Sequence, residues 1–171
     1  MSDSPIVLDA SVAIAIIRRE PTRPTLLAVL RETAAGRGDR VVPDHFWLEV
    51  ANVLIRRYGV TPAEAVEQLR DVDDFGLRSI RIDRPLLLVT LDLQARFGLS
   101  AYDAAYLALA ETEDARLLTL DGRLALAAGA RAVRLPGLTP ERLSEESAPY
   151  GEPIDWARYG PYLAELRAAA R

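Results

Sequence analysis

Cysteine does not occur in this 171-residue chain, which excludes disulfides and thiolate metal sites. A single histidine, His45, excludes the zinc arrangements that use two or three histidines. Lysine is missing too: all 21 basic residues are arginine, so no mechanism that needs a catalytic or phosphate-binding lysine is available. No glycine-rich phosphate loop follows the first apolar run, as a nucleotide-binding fold would require. No apolar stretch approaches the roughly 20 residues of a membrane span. The early run Ala10 to Ile17 is followed by Arg18 and Arg19 instead of being preceded by basic residues, the wrong order for a secretory signal. The expectation is a cytoplasmic protein without membrane association.

Half of the residues are hydrophobic (50%) and 27% are charged, ordinary values for a globular chain. The length fits one domain with a substantial core. The net charge of −4 argues against a generally adhesive nucleic-acid binder. Acids are concentrated in residues 60–121, while the segment before is balanced by arginine. An acidic centre beside basic margins suits a metal pocket flanked by phosphate contacts, although solvated faces account for it more plainly.

Patterning predicts strands alternating with helices. Ile6-Val7-Leu8 after Pro5 reads as a buried strand, followed by helices over Ser11–Arg19 and Pro24–Ala35, with Gly36 as the stop. Val41-Val42 is a second short strand before Pro43. From Asp44 to Tyr58 apolar Phe46, Val50, Val53 and Leu54 recur at helical spacing up to Gly59. Thr61-Pro62-Ala63-Glu64 is a helix start with a capping box and an early proline, and that helix runs to Asp73. Leu77–Ile82 is a third strand and Arg84–Phe97 a helix stopped by Gly98. Ser100 opens a helix to Glu113. Arg116–Leu120 is a fourth strand, Gly122–Ala128 a short helix, and Ala132–Leu135 a last strand. The alternation points to an α/β fold with a central parallel sheet covered on both faces. Residues 138–171 are polar and proline-containing, and read as an appendage with a terminal helix from Pro161, leaving residues 1–137 as the domain proper.

Four acids sit in short apolar frames: Asp9 in Val7-Leu8-Asp9-Ala10-Ser11, Glu49 in Leu48-Glu49-Val50-Ala51-Asn52, Asp103 in Ser100-Ala101-Tyr102-Asp103-Ala104, and Asp121 in Leu118-Thr119-Leu120-Asp121-Gly122. An ionised group in apolar surroundings is costly unless something compensates it. Each has a plainer account. Asp9, Asp103 and Asp121 could cap helices, and Glu49, directed toward the apolar side of its helix, could pair with Arg56. In open parallel sheets, however, sites form at the carboxyl ends of strands, where Asp9 and Asp121 both fall. Carboxylates meeting there would repel, so a divalent cation is expected to keep them ionised, Mg2+ or Mn2+ rather than zinc for an all-oxygen site. Asp71, Asp73 and Asp74 read as a solvated run, Asp83 and Asp92 as residues in polar or helix-surface frames, and His45 as a partly buried structural residue rather than a base.

The four frames, in this order in one small α/β chain, resemble the PIN-domain ribonucleases, and specifically the VapC-type toxins of bacterial toxin–antitoxin pairs. The likeness runs over about residues 5–136 and extends through Ala104-Ala105-Tyr106-Leu107-Ala108-Leu109-Ala110 and Arg123-Leu124. It implies a PIN-like three-layer α/β/α fold and an acidic metal-binding quartet of Asp9, Glu49, Asp103 and Asp121, with hydroxyls of Ser11 and Thr119 beside it. It further implies Mg2+- or Mn2+-dependent cleavage of RNA, a cognate antitoxin as partner, and a homodimer, as in many relatives. Arg18, Arg19 and Arg123 are the arginines to test as phosphate contacts. Two features depart from the family: the acidic net charge, and a tail longer than the compact core needs. Two other classes remain open. A phosphotransferase or phosphatase using Asp9 as nucleophile is disfavoured by the missing lysine. A PIN-like binding or assembly module without activity would be favoured by loss of a quartet acid, and none is lost.

Overall fold

The computed structural model describes residues 4–136; the expected appendage and its terminal helix lie outside them. Four short strands form one parallel sheet in the order β3-β2-β1-β4: β1 is Ile6–Leu8, β2 Arg40–Pro43, β3 Arg78–Ile80 and β4 Arg116–Leu118. Strand β1 lies between β2 and β4, pairing Val7 with Val41 on one side and with Leu117 on the other. All of β1 is buried, as a parallel strand covered on both faces must be.

Helices make every crossover. They are α1 (Ala10–Ile17), α2 (Arg23–Ala35), α3 (Phe46–Tyr58), α4 (Pro62–Asp73), α5 (Arg84–Phe97), α6 (Ala101–Thr112) and α7 (Gly122–Ala128). The Thr61 side chain and the Glu64 carboxylate exchange bonds with each other's backbone amides at the start of α4, forming the expected capping box. Gly59 and Gly98 end α3 and α5 in the left-handed conformation (φ 65° and 63°), the region where a side chain is strained and glycine is not. Helix α6 is the central one: it lies against β1, β2 and β4 on one side and α5 on the other. Its buried run Ala104–Ala110 is small except for Tyr106, Leu107 and Leu109, which lets the backbone approach the sheet closely.

Several elements differ from expectation: β3 is Arg78–Ile80 within the expected Leu77–Ile82, and β4 ends at Leu118 instead of Leu120. Helix α1 ends at Ile17, not Arg19, because Arg19 takes a left-handed φ of 56° and breaks the ladder. Ala132–Leu135 is no strand: its pairing is reduced to one parallel bridge, Leu117 to Ala132, with the Val133 amide on the Leu117 carbonyl at 2.8 Å. A 3-10 turn at Gly129–Arg131 immediately precedes this bridge. No helix among the described residues is long and apolar enough to cross a membrane.

Candidate active site

From β1 the chain order proceeds to β2 and β3 on one side, while β4 returns to the other. That switch point is where an open parallel sheet leaves a crevice beyond its carboxyl ends. Asp9 ends β1 there. Its backbone is extended at the N-cap of α1, yet its side chain makes no cap bond; it is only 4% exposed. Both available hydroxyls serve it instead. Thr119 Oγ1 donates to Asp9 Oδ2 at 2.7 Å, and Ser11 Oγ donates to the same oxygen. Those hydroxyls are themselves fixed: Ser11 Oγ accepts from the Leu120 amide at 3.0 Å, and Thr119 Oγ1 from the Asp121 amide at 2.9 Å. The β4–α7 loop is thereby locked onto the first strand.

Asp121 combines two roles. Its Oδ1 accepts from the Leu124 amide at 2.8 Å, capping α7, while its charge acts on both Asp9 and Asp103. Asp103 lies in the first turn of α6. Ser100 Oγ accepts from its amide at 3.0 Å and donates to its Oδ2 at 2.7 Å. Glu49, one turn into α3, does not pair with Arg56. Its Oε2 accepts from the Tyr106 hydroxyl at 2.7 Å, with His45 Nε2 3.8 Å away, too far for a hydrogen bond.

The electrostatics tie the four together. Burial, followed at a distance by the charges of Asp103 and Asp121, raises the Asp9 pKa to about 6 against the opposing hydroxyl bonds. Burial and then the charge of Asp9 raise Glu49 to about 7. Asp103 is raised by burial and by Asp121, and eased by Arg123. Tyr106, fully buried, is pushed far up and stays a hydrogen-bond donor. Buried carboxyls raised chiefly by desolvation and further by one another's charge are the kind of group found at functional sites. As a donor set, four carboxylates fit a hard divalent ion. Among the described residues, no group of three or more His, Asp or Glu side chains is placed closely enough to hold a metal ion as it stands.

Tyr106 and His45 complete the site in ways the linear frames do not disclose. The Tyr106 phenol bridges α6 to α3, and His45 lies edge-on against it, ring centroids 4.9 Å apart. Of the three arginines, Arg123 stands nearest: its Nη2 donates to the Gly98 carbonyl at 2.7 Å, beside the start of α6. Arg18 lies at the far end of α1, its guanidinium 4.5 Å from the centre of the Tyr58 ring.

The PIN domain family model matches residues 6–130. Solved structures share the fold. A toxin–antitoxin complex from Klebsiella pneumoniae is 19% identical, with a TM-score of 0.57, covering 75% of this chain and 96% of that one. Mycobacterium tuberculosis VapC20, a sarcin-ricin loop cleaving toxin, is 19% identical, with a TM-score of 0.59 over 74% of this chain and 98% of that one. No curated protein matches the sequence.

Proposed function

The chain belongs to the PIN domain family, and from that premise we propose that it is a metal-dependent endoribonuclease, the toxin of a toxin–antitoxin pair. The observation that carries this reading is the convergence of Asp9, Glu49, Asp103 and Asp121 at the switch point, each of the first three held above its ordinary pKa partly by another acid. The fold it shares with a toxin–antitoxin complex and with a toxin that cleaves the sarcin-ricin loop supports it.

Asp9, Asp103, Asp121 and Glu49 would hold Mg2+ or Mn2+, which supplies Lewis-acid polarisation of a phosphate oxygen and makes water more acidic when bound. The chain's own residues do the rest. Ser11 and Thr119 orient Asp9, so that one carboxylate oxygen is occupied by hydroxyls and the other is directed away from them. Tyr106 fixes Glu49, whose side chain keeps 32% of its surface in solvent and can orient an attacking water. Arg123, anchored by one nitrogen to Gly98, retains other donors for a phosphate oxygen. A cytoplasmic location, a protein antitoxin and a homodimer belong to the same reading.

Cleavage of total cellular RNA with Mn2+, with EDTA and with Asp9→Asn tests the proposal. Discrete fragments that require both metal and Asp9 are expected. Cleavage by Asp9→Asn at the wild-type rate would sink it.

A further inference from the structure

The acids account for chemistry at a phosphodiester but not for what holds the nucleotide beside it. Tyr102 stands directly before Asp103 in α6 and is 65% exposed. Its ring is not isolated. It lies 5.5 Å from the His45 ring, tilted by 52°, and His45 in turn meets Tyr106 edge-on at 4.9 Å. Tyr102 and Tyr106 are four residues apart and so share one helix face. The three rings therefore form a continuous aromatic ridge that starts in solvent at Tyr102 and ends at the hydroxyl holding Glu49.

Two features make this ridge incomplete as a purely structural element. Most of Tyr102 is left to water although it directly precedes Asp103 in α6. The His45 side chain is only 12% exposed, and neither ring nitrogen has a hydrogen-bond partner among the described residues. Buried polar atoms without partners are rare and costly in native structures. A flat, solvent-facing π-surface next to a site for phosphodiester chemistry matches what an unstacked nucleobase offers, a ring to stack.

We propose that Tyr102, backed by His45, is a stacking platform for the nucleobase adjoining the scissile phosphate, which restricts the substrate to RNA that is single-stranded at that position. Bases inside an A-form duplex are already stacked and paired and cannot reach such a platform. This inference rests on the ribonuclease reading above and names the substrate form it would take.

The test uses the full chain and short single-stranded oligoribonucleotides carrying 2-aminopurine, with steady-state cleavage in Mn2+ and fluorescence in EDTA measured in parallel. Stacking a base on an aromatic side chain is worth about 5- to 150-fold in binding. Tyr102→Ala should therefore raise KM by that factor with kcat near wild type, and abolish 2-aminopurine quenching. Tyr102→Phe should restore both, and a duplex of the same sequence should bind the wild type no better than single strands bind Tyr102→Ala. Unchanged melting is expected for both variants, since the ring is exposed. Wild-type KM and quenching in Tyr102→Ala, or equal failure of Phe and Ala, would overturn the proposal, as would a Tyr102→Ala effect confined to self-association. If the wild type quenches through Tyr102 but cleaves nothing, the platform stands and the nuclease reading falls. Cleavage indifferent to Tyr102 gives the reverse.

Discussion

The hydroxyl of Tyr106 donates to Glu49 Oε2 at 2.7 Å, across 57 residues of sequence and between helices α6 and α3. The phenol is fully buried, so its hydroxyl has no water to turn to, and Glu49 has no arginine in place of it.

Tyr106→Phe should therefore destabilise the protein by about 1–3 kcal/mol, the cost of removing one partner from a buried bond to a charged group. Denaturant melts will measure it. RNA cleavage should fall through a misoriented Glu49, and Glu49→Gln combined with Tyr106→Phe should add less than the sum of the two single losses.

Asp9→Asn should lower cleavage by about 100-fold or more, the scale of removing one electrostatic catalytic group. Melting should not fall. An amide oxygen can still accept from Ser11 and Thr119, and it carries none of the charge that burial penalises. A drop in melting temperature as large as the loss of activity is extreme would assign Asp9 a structural role instead.

Stability in EDTA should depend on pH in an unusual direction. The folded chain binds protons at Glu49 and Asp9 more tightly than the unfolded chain does, with pKa values of about 7 and about 6 against ordinary values of 4.5 and 3.8. Between those limits the native state carries more protons, so the contribution of these groups is full below the ordinary values and lost as pH rises through the raised ones. Glu49→Gln should thus melt above wild type at pH 8 and converge with it near pH 4. A difference independent of pH would refute the assigned shifts.

Millimolar Mg2+ or Mn2+ at pH 8 should raise the melting temperature of wild type, because the ion binds only the assembled acids; at a hundred times its Kd the gain is about 2.7 kcal/mol. Asp9→Asn and Asp103→Asn should each blunt the response. No shift in the wild type would remove the metal from the mechanism.

Much of this was legible in the sequence, for local reasons. Thr61 and Glu64 satisfy one another within a single helical turn, and Gly59 and Gly98 stop helices through their own φ. The acids were visible because a carboxylate in an apolar frame is conspicuous by itself. Their company was not. Asp9 as an N-cap was a reasonable local reading, and what refutes it is Thr119, 110 residues away. Asp121 does cap its helix and also acts on the other acids, so a cap and a site residue are not alternatives. The Glu49–Arg56 pairing failed because a partner on α6 reaches Glu49 first. Ala132–Leu135 had the apolar run of a strand, but only one residue came into register with β4.

The lock between Asp9 and Thr119 also sets a time. The first strand leaves the ribosome about 110 residues before the hydroxyl that steadies its carboxylate, an interval on the order of 10 s at about 5–20 residues per second. Until then the nascent chain lacks Asp121 and the β4 edge altogether. The acids of the candidate site therefore cannot come together until nearly the whole domain has been made. The order in which the strands are synthesised fixes when that site can form.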